Sequence, residues 1–316
     1  MGWDVLLYPF DYLSIPFGDW VQSALDYLVI QFRSFLILVQ HPVQVMLVAF
    51  EQGLRSVHPL LFISAAFILV WQGAGLSVSI MVLAALIGLG LIGAWQAAMT
   101  TFSIVLAALC LCTIIGLPLG ILASKSDRLD RILHPILDFM QTTPSFVYLV
   151  PVVMFFGIGN APGVIVTTIF GVSPLIRLTN LGIRQVRSDL VEAAAAFGST
   201  PLQILLKVEL PLANRTILAG LNQTVMMSLS MTVIASMISV AGLGRMVLAG
   251  IGRLEVGIAA VGGLGIVLLA IIVDRTIQGI ARDSRQRKSW DLKPSDLIMH
   301  LVGRMKDRPG PDLKEG

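Results

Sequence analysis

Charged residues are scarce in this chain. Asp, Glu, Lys and Arg together supply 13% of its 316 residues, whereas an ordinary soluble domain carries about a quarter. The stretches 81–94, 113–123 and 262–273 contain no charged residue. Because hydrocarbon accepts a backbone only when its amides are hydrogen-bonded internally, we expect these stretches to be membrane helices. The runs are continuous and do not alternate, so they predict an all-α integral membrane protein and argue against a barrel.

Cysteine and histidine are also rare, and their positions do not predict a site. Cys110 and Cys112 lie in one apolar stretch on different faces of a helix, so we expect small buried hydrophobes rather than a disulfide or a metal site. No His-x-x-x-His, Gly-x-Ser-x-Gly or Gly-x-x-x-x-Gly-Lys-Ser/Thr pattern occurs. The chain thus has no common motif for zinc proteolysis, serine hydrolysis or nucleotide binding. We expect it to be no enzyme and to hold no metal or cofactor of its own.

The apolar runs predict seven membrane spans, with approximate limits 59–71, 76–95, 98–123, 135–156, 163–176, 217–240 and 256–273. Residues 1–57 are amphipathic, and we expect the part from 17 to 39 to lie along the membrane surface. Residues 58–95 then hold two accessory spans, residues 96–280 hold a core of five spans, and residues 281–316 form a cytoplasmic tail.

The basic residues predict how the chain is oriented, because positive charge concentrates on the cytoplasmic side of a membrane. With the N-terminus outside the cytoplasm, Arg33, Arg55, Arg245 and Arg253 remain outside. The cytoplasmic side then receives the larger set of Lys125, Arg128, Arg131, Arg177, Arg184, Arg187, Lys207, Arg215, Arg275, Arg282, Arg285, Arg287 and Lys288. The reverse orientation would translocate most of the positive charge, so we reject it.

A polar segment, residues 188–211, interrupts the apolar chain between the fifth and sixth predicted spans. Ser188 is placed to cap a short helix, and Gly198 supplies a stop that tolerates left-handed backbone geometry. The string Thr200-Pro201-Leu202-Gln203 restarts a helix through a capping box, and Pro211 is expected to end it. The segment, called the elbow below, is therefore predicted to fold as a helix–turn–helix on the cytoplasmic side.

The spacing within the elbow resembles the EAA loop of ABC importer permeases. Glu192-Ala193-Ala194 is followed after three residues by Gly198, then after nine residues by Val208, one further residue and Leu210-Pro211. The sequence departs only in having Val208 where isoleucine is usual. In that family the loop docks into a groove on a cytoplasmic ATPase and transmits nucleotide-driven closure to the membrane helices. The alternative is a structural or re-entrant Ala-rich loop. The resemblance assigns coupling to Glu192, Ala193, Ala194, Gly198, Leu210 and Pro211.

The wider sequence is similar to permease subunits of glycine betaine/proline betaine importers. The similarity runs from about residue 18 to residue 284, and is carried by residues 140–151 (MQTTPSFVYLVP), 156–160 (FGIGN), 234–238 (IASMI), 250–254 (GIGRL) and 273–275 (VDR). It implies the type I ABC importer transmembrane domain, with a five-helix core, in a bacterial inner membrane.

That resemblance also implies partners. The permease would pair as a homodimer with two ATPase subunits, which carry the ATP and Mg, and with a separate extracytoplasmic solute-binding protein. Choline and carnitine permeases belong to the same family, so those solutes stay open as substrates. A secondary transporter coupled to an ion gradient is a further alternative, although it would need ionisable residues at the centres of the last two spans.

Two groups of polar residues inside predicted spans are candidates for a transport pathway. The first group, next to Pro144, is Gln141, Thr142 and Thr143. The second group, on the sixth span, is Asn222, Gln223, Ser228, Thr232 and Ser236. Neutral dipoles suit a zwitterionic solute, because a quaternary ammonium donates no hydrogen bond and a strong fixed charge would trap it. Close packing between helices is the alternative for both groups.

Two further predictions concern the ends of the spans. Asp138 is expected to be solvated at the cytoplasmic end of the fourth span rather than to contact substrate. Glycines crowd residues 242–265, which we expect to form an outer loop carrying Arg245 and Arg253. These two arginines are candidates for docking an acidic patch of a solute-binding protein, and loop flexibility with tight helix packing is the alternative.

Overall fold

The computed structural model describes residues 16–281, and this part of the chain is helical without strands. The first 15 residues and the predicted tail from residue 282 onward lie outside the described residues. The all-α prediction is confirmed for the described part. Its helices are α1 (Phe17–Ser56), α2 (Pro59–Ala74), α3 (Leu76–Leu91), α4 (Trp95–Lys125), α5 (Asp127–Thr142), α6 (Leu149–Phe156), α7 (Asn160–Arg184), α8 (Ser188–Ala196), α9 (Pro201–Ile204), α10 (Leu210–Ala235), α11 (Leu243–Gly252) and α12 (Val256–Ala281).

Five of these helical runs are long and apolar enough to cross a membrane, namely α1, α4, α7, α12 and the run Pro201–Ile238 that contains α10. α2, α3 and α11 are apolar but shorter. α2 and α3 are 16 residues each, which gives them a length of about 24 Å against the roughly 30 Å of a hydrocarbon core. They occupy the positions of the two predicted accessory spans.

The fourth predicted span is not one continuous helix, which corrects the prediction. α5 ends at Thr142, and the chain bends by 106° before the 3₁₀ turn Ser145–Tyr148 and α6. Thr143 has an extended backbone with φ −70° and ψ 128°. A residue that precedes proline is pushed out of the helical region by the proline ring, so Pro144 places the break here.

α1 is a single helix of 40 residues. Its second half packs on the bundle, where Val43 and Leu47 are buried against α4, α6 and α7. Its first half exposes large apolar side chains such as Trp20 and Phe35. By length and composition α1 is also able to span a membrane, so the surface position expected for residues 17–39 stays a prediction.

The centre of the bundle is α7, which lies between α4 and α10, while α12 packs between α10 and α3. Small residues bring these helices together. A Cβ added at Gly120 of α4 would lie 2.6 Å from the Cβ of Thr179 on α7, and one added at Gly171 of α7 would lie 3.0 Å from Ser228 Oγ on α10. Backbones can approach this closely only where side chains are absent or small, as is common between membrane helices.

Residues 242–265 do not form the predicted outer loop. They contain α11 and the first turns of α12, which pack against each other. A Cβ at Gly262 would lie 2.9 Å from the backbone nitrogen of Val247, and one at Gly250 would lie 2.8 Å from the Cα of Ala259. Gly250 and Gly262 therefore serve close helix packing, which was the alternative to loop flexibility.

The bundle has two polar ends. At one end, the Thr101 hydroxyl and the Asn160 side-chain oxygen each accept a 2.8 Å hydrogen bond from a backbone amide of the α10–α11 turn. At the other end, α4 finishes at Lys125, α7 finishes at Arg184, and the elbow connects α7 to α10. The elbow and the α10–α11 turn therefore lie at opposite ends of the molecule.

Candidate coupling elbow and transport pathway

The elbow begins with α8, although its first residue is not capped as predicted. Arg187 occupies the N-cap position with an extended backbone, and Ser188 is already the first helical residue. A serine side chain caps only from a non-helical position, so Ser188 is one residue too late. Arg187 instead binds Asp189 of the first turn, with its Nε 3.0 Å from Oδ1.

The turn and the restart of the elbow match the predicted chemistry. Gly198 has φ +80°, a conformation that disfavours side chains with a Cβ. Thr200 then caps α9 through a capping box. The backbone amide of Gln203 donates to Thr200 Oγ1 at 3.4 Å, and the backbone amide of Thr200 donates to Gln203 Oε1 at 2.8 Å. Pro201 occupies the first helical position, where a missing amide costs nothing.

The second arm of the elbow does not end at Pro211, which corrects that prediction. The chain continues from α9 through a π turn, Leu205–Glu209, directly into α10, with Pro211 in the first turn of that helix. The Leu210 amide bonds back to the Leu205 carbonyl across the widened turn. A π turn changes the hydrogen-bond register, which lets a helix tolerate a proline whose ring would otherwise clash one turn back. The second arm of the elbow is therefore continuous with α10.

The outer surface of the elbow is apolar and exposed. Phe197, at the tip beside Gly198, is 90% exposed, and Leu202 is 63% exposed. Leu206 is also exposed, whereas Leu205 is half-buried. The carboxylate residue of the motif, Glu192, is exposed on the first arm. Asp189 of the same arm is exposed as well. Exposed large apolar side chains with acidic residues beside them, at the end of a membrane protein, are the surface expected of a docking site.

The base of the elbow contains an ion pair that the sequence did not reveal. Glu209, only 5% exposed, lies with its two carboxylate oxygens 2.6 and 2.5 Å from Lys125 Nζ at the end of α4. An open cavity of about 270 Å³ beside the pair is also lined by Glu192 and Arg184. Glu209 fell at a variable place in the motif, and Lys125 is 84 residues away in the chain, so spacing alone could not pair them.

Other ion pairs at this end join α5 to α7. Arg177 Nη2 lies 2.6 Å from Asp138 Oδ1, and Arg184 Nη1 lies 2.8 Å from Asp127 Oδ1. Asp130 accepts a 2.6 Å hydrogen bond from the Asn180 side chain. Asp138 is exposed, but it lies within α5 rather than at the end of a span, and its carboxylate is held by Arg177 rather than free in solvent.

The first pathway group lies at the bend between α5 and α6. Thr143 Oγ1 and Thr142 Oγ1 donate to the Phe139 carbonyl at 2.8 and 3.3 Å. Gln141 is half-buried in the last turn of α5. These contacts are local, because the Phe139 carbonyl also accepts the Thr143 backbone amide at 3.1 Å. The carbonyl that Pro144 leaves without an amide partner is that of Met140, and it accepts from the Tyr148 hydroxyl at 2.8 Å. The structure therefore places the three residues together at a kink in the chain.

Three members of the second group, two on α10 and Ser236 directly after it, are buried against neighbouring helices. Ser228 faces Gly171 of α7, and the backbone of Thr232 lies against Gly244 of α11. The hydroxyls of Ser228 and Thr232 bond to carbonyls of their own helix at 2.8 and 2.7 Å, as does that of Ser236. This geometry favours the packing alternative for Ser228, Thr232 and Ser236.

The remaining two members of that group differ from each other. Asn222 Nδ2 donates a 2.9 Å hydrogen bond to Asp274 Oδ1 on α12, and Gln278 donates to the same oxygen at 2.6 Å. Gln223, one residue on, is exposed. Asn222 thus joins α10 to α12, whereas Gln223 is available to a solute or a neighbouring chain.

Arg245 and Arg253 are both exposed, and they flank α11 at the end of the bundle opposite the elbow. Leu254, which follows Arg253, has φ +58° and is 89% exposed. The Glu255 amide bonds back to the Gly250 carbonyl at 2.8 Å and closes this turn. Both arginines are therefore exposed, Arg245 in the first turn of α11 and Arg253 in the turn between α11 and α12.

Comparisons with known proteins agree with this architecture. The chain is 53% identical to the glycine betaine/proline betaine transport system permease protein ProW of Escherichia coli (strain K12), over 89% of this chain and 80% of that protein. It is 42% identical to the glycine betaine/carnitine transport permease protein GbuB of Listeria monocytogenes serotype 1/2a (strain 10403S), over 86% of this chain and 98% of that protein.

The fold also matches a solved structure. A crystal form of the MetNI methionine ABC transporter, described as inward-facing, superposes with a TM-score of 0.53, covering 59% of this chain and 95% of the matched chain. The two sequences are 21% identical, so the likeness concerns the fold, which is that of a type I ABC importer transmembrane domain. Residues 116–286 match the family described as binding-protein-dependent transport system inner membrane component. The chain belongs to that family of membrane transport subunits.

Proposed function

We propose that this chain is the permease of an ATP-driven importer for glycine betaine, proline betaine or a closely related osmoprotectant. The observation that carries the coupling role is the exposed elbow, which has the EAA spacing and continues without a break into α10. The solute is inferred from relatives at 53% and 42% identity, both of which are named for glycine betaine. Both inferences agree with membership of a binding-protein-dependent family.

The proposed partners follow from the two ends of the bundle. An ATPase subunit, which binds the ATP and Mg, docks on the elbow through Phe197, Leu202 and Glu192. A solute-binding protein docks at the opposite end, where Arg245 and Arg253 are exposed. Two copies of the chain pair as a homodimer with two ATPases. The elbow end is cytoplasmic and the α11 end is extracytoplasmic in a bacterial inner membrane, because most of the basic residues gather at the elbow end.

The mechanism depends on how the elbow is joined to the helices. When the ATPase subunits close, the elbows move toward each other, and α10 moves with its elbow because the π turn keeps the two continuous. α10 packs against α7 and α12, so its displacement alters the core of the bundle. The permease thereby alternates between inward-facing and outward-facing states.

The pathway is proposed to use neutral polar groups. Gln141, Thr142 and Thr143 at the α5–α6 bend and Gln223 on α10 offer hydrogen-bonding dipoles without a fixed charge. Such a path suits a zwitterion whose ammonium group donates no hydrogen bond. High-affinity recognition belongs to the solute-binding protein, where a trimethylammonium group is held by aromatic rings through cation–π contacts.

Choline or carnitine is the second candidate solute, and the relative named for glycine betaine and carnitine supports it. The permease, its ATPase and its binding protein reconstituted in proteoliposomes would decide between the solutes. We expect uptake of labelled glycine betaine to require ATP, the binding protein and the ATPase together. Preferred uptake of choline or carnitine would replace the substrate assignment, and uptake driven by an ion gradient without ATP would refute the proposed function.

A further inference from the structure

Both ends of the elbow are attached to the last turn of α4. Arg184, the residue that ends α7 just before the elbow, donates from Nη2 to the Ala123 carbonyl at 2.9 Å. Glu209, in the π turn at the far end of the elbow, binds Lys125. The chain from 185 to 208 is thus a loop whose two ends, called its roots below, both contact the last turn of α4. That turn is not part of the elbow.

The attachment through Glu209 is a charged contact in which the glutamate is buried and the Lys125 side chain is about half exposed. Glu209 is 5% exposed, and both of its carboxylate oxygens lie within 2.6 Å of Lys125 Nζ. A carboxylate loses its hydration on burial, and such a loss is tolerated only when a partner of opposite charge is held in good geometry. A displacement of the elbow that left Lys125 behind would leave this buried carboxylate without its cation, so the pair favours joint movement of the elbow and α4.

The attachment through Arg184 extends to α5. The same guanidinium that reaches Ala123 also contacts Asp127 at 2.8 Å and Asp130 at 3.8 Å in the first turn of α5. Ser126 lies between the two helices and caps α5 by accepting from the Leu129 amide at 3.4 Å. α4, α5 and both roots of the elbow therefore meet at one junction, and α5 leads from it to the bend that holds Gln141–Thr143.

The body of the elbow is less closely attached. α8 packs mainly on α9 and the π turn. The 270 Å³ cavity separates Ser188 and Glu192 of α8 from Lys125 of α4 and is open to the surroundings. A second, largely apolar cavity of about 490 Å³ is lined by Val191, Leu202 and Lys125. Two cavities thus lie between the elbow and the bundle, and the polar contacts at its roots hold it to α4.

We propose that Lys125 and Glu209 are positioning residues that transmit elbow movement to α4 and α5, as a second route beside α10. This inference rests on the proposed function, since it presumes that an ATPase moves the elbow. Through the pair, the α4–α5 junction follows the elbow, and α5 carries that movement to the Thr143–Pro144 bend. The pair adds no step of chemistry; its role is mechanical.

The test replaces the pair in the reconstituted transporter with its ATPase and solute-binding protein. The single variants Glu209→Gln and Lys125→Met are compared with the double variant, and Lys125→Arg serves as the conservative variant. A matched control is the double variant Glu51→Gln with Arg55→Met, which removes a 3.2 Å ion pair and its hydrogen bonds to Thr100 of α4 at the opposite end of the bundle. The readouts are membrane abundance, co-purified ATPase, ATP hydrolysis and solute imported per ATP.

The double variant gives the decisive result. Lys125→Met alone leaves the Glu209 carboxylate without a partner and should lower the amount of permease in the membrane. The double variant leaves no unpaired charge and should restore that amount. We expect the double variant to keep its ATPase and to hydrolyse ATP, but to import at least about fivefold less solute per ATP, at the lower end of typical coupling between sites. Lys125→Arg and the Glu51/Arg55 control should import at the wild-type ratio.

Two results would overturn the inference. Import per ATP at the wild-type ratio in the double variant would show that movement does not pass through the pair. Loss of insertion or of the ATPase in the double variant would make the pair a folding contact. Failure of the proposed function is distinguishable, because then the wild-type chain itself would show no ATP-dependent uptake.

Discussion

The shape of the elbow depends on a few single residues. Gly198 adopts φ +80° at the tip of the elbow, with nothing within 4 Å of where a Cβ would stand. Glycine is therefore required at position 198 for its backbone conformation and not because space is lacking. Thr200 and Gln203 fix the next turn by the capping box. These residues set the angle between the two arms of the elbow, and that angle sets which side chains reach a partner.

Replacement of Gly198 by valine should uncouple the transporter. A β-branched residue in left-handed geometry costs about 1–2 kcal/mol, so the turn should relax to another conformation. We expect ATP-dependent uptake to be lost while the chain still inserts, as measured by uptake and by membrane abundance. Gly53→Ala is the control, because Gly53 lies in α1 with open space around it and should transport normally. Normal uptake by Gly198→Val would argue against an elbow of defined shape.

Ser228→Ala should have little effect on transport. The Ser228 side chain is buried against Gly171, and its hydroxyl bonds to the Thr224 carbonyl of its own helix. Loss of that bond should cost about 1 kcal/mol of stability, with the KM for solute unchanged in an uptake assay. Gln223→Ala, at an exposed position, is the comparison that should lower uptake. A raised KM for Ser228→Ala would return Ser228 to the pathway.

At the scale of elements, glycines determine how closely helices pack. α11 lies on α12 so tightly that a Cβ on Gly250 would meet the Ala259 backbone. Composition had shown a Gly-rich stretch, and the same residues could have formed a flexible loop. The spacing of glycines does not distinguish the two, since what decides is whether another helix lies opposite.

Gly250→Ala should therefore destabilise the protein by about 1–3 kcal/mol, the usual cost of overpacking a filled interface. The effect should appear as a lower midpoint of thermal unfolding in detergent. Gly257→Ala is the matched control, since no atom lies within 4 Å of its Cβ position. Equal midpoints for the two variants would mean that α11 does not pack on α12 as described.

Much of the element order could be predicted from the sequence. Long uncharged runs predict most of the helices, and the capping residues predict the turn at Gly198 and the start of α9. The effects of proline were harder to predict, because a proline can bend a chain, end a helix or lie in the first turn of one. The 106° bend at Thr143–Pro144 was taken for a straight span, and Pro211 was expected to end a helix that instead continues through a π turn.

The contacts of the site were the least predictable part. The Lys125–Glu209 pair and the bond between Asn222 and Asp274 join residues that are far apart in the chain. No local pattern marks either partner, because the pairing is decided by how the helices pack. The motif therefore located the elbow but not the residues that attach it to the bundle.

The two ends of the molecule are proposed to face different sides of the membrane. The elbow end is proposed to be cytoplasmic, and the α11 end is proposed to be outside. Cysteine substitutions test this orientation: an impermeant thiol reagent added to intact cells should label Arg253→Cys and not Ala195→Cys, while inverted vesicles should give the opposite pattern. Both positions are exposed. Labelling of Ala195→Cys from outside would reverse the topology.

The central claim is that the elbow receives the force of an ATPase. The most direct measurement places a photo-crosslinking amino acid at Ala195, on the exposed first arm of the elbow, in the assembled transporter. Leu254, which is exposed at the opposite end, serves as the control position. The account predicts that Ala195 captures the ATPase subunit and that Leu254 does not. Capture of lipid or of a second permease alone from Ala195, with the ATPase present and active, would contradict it.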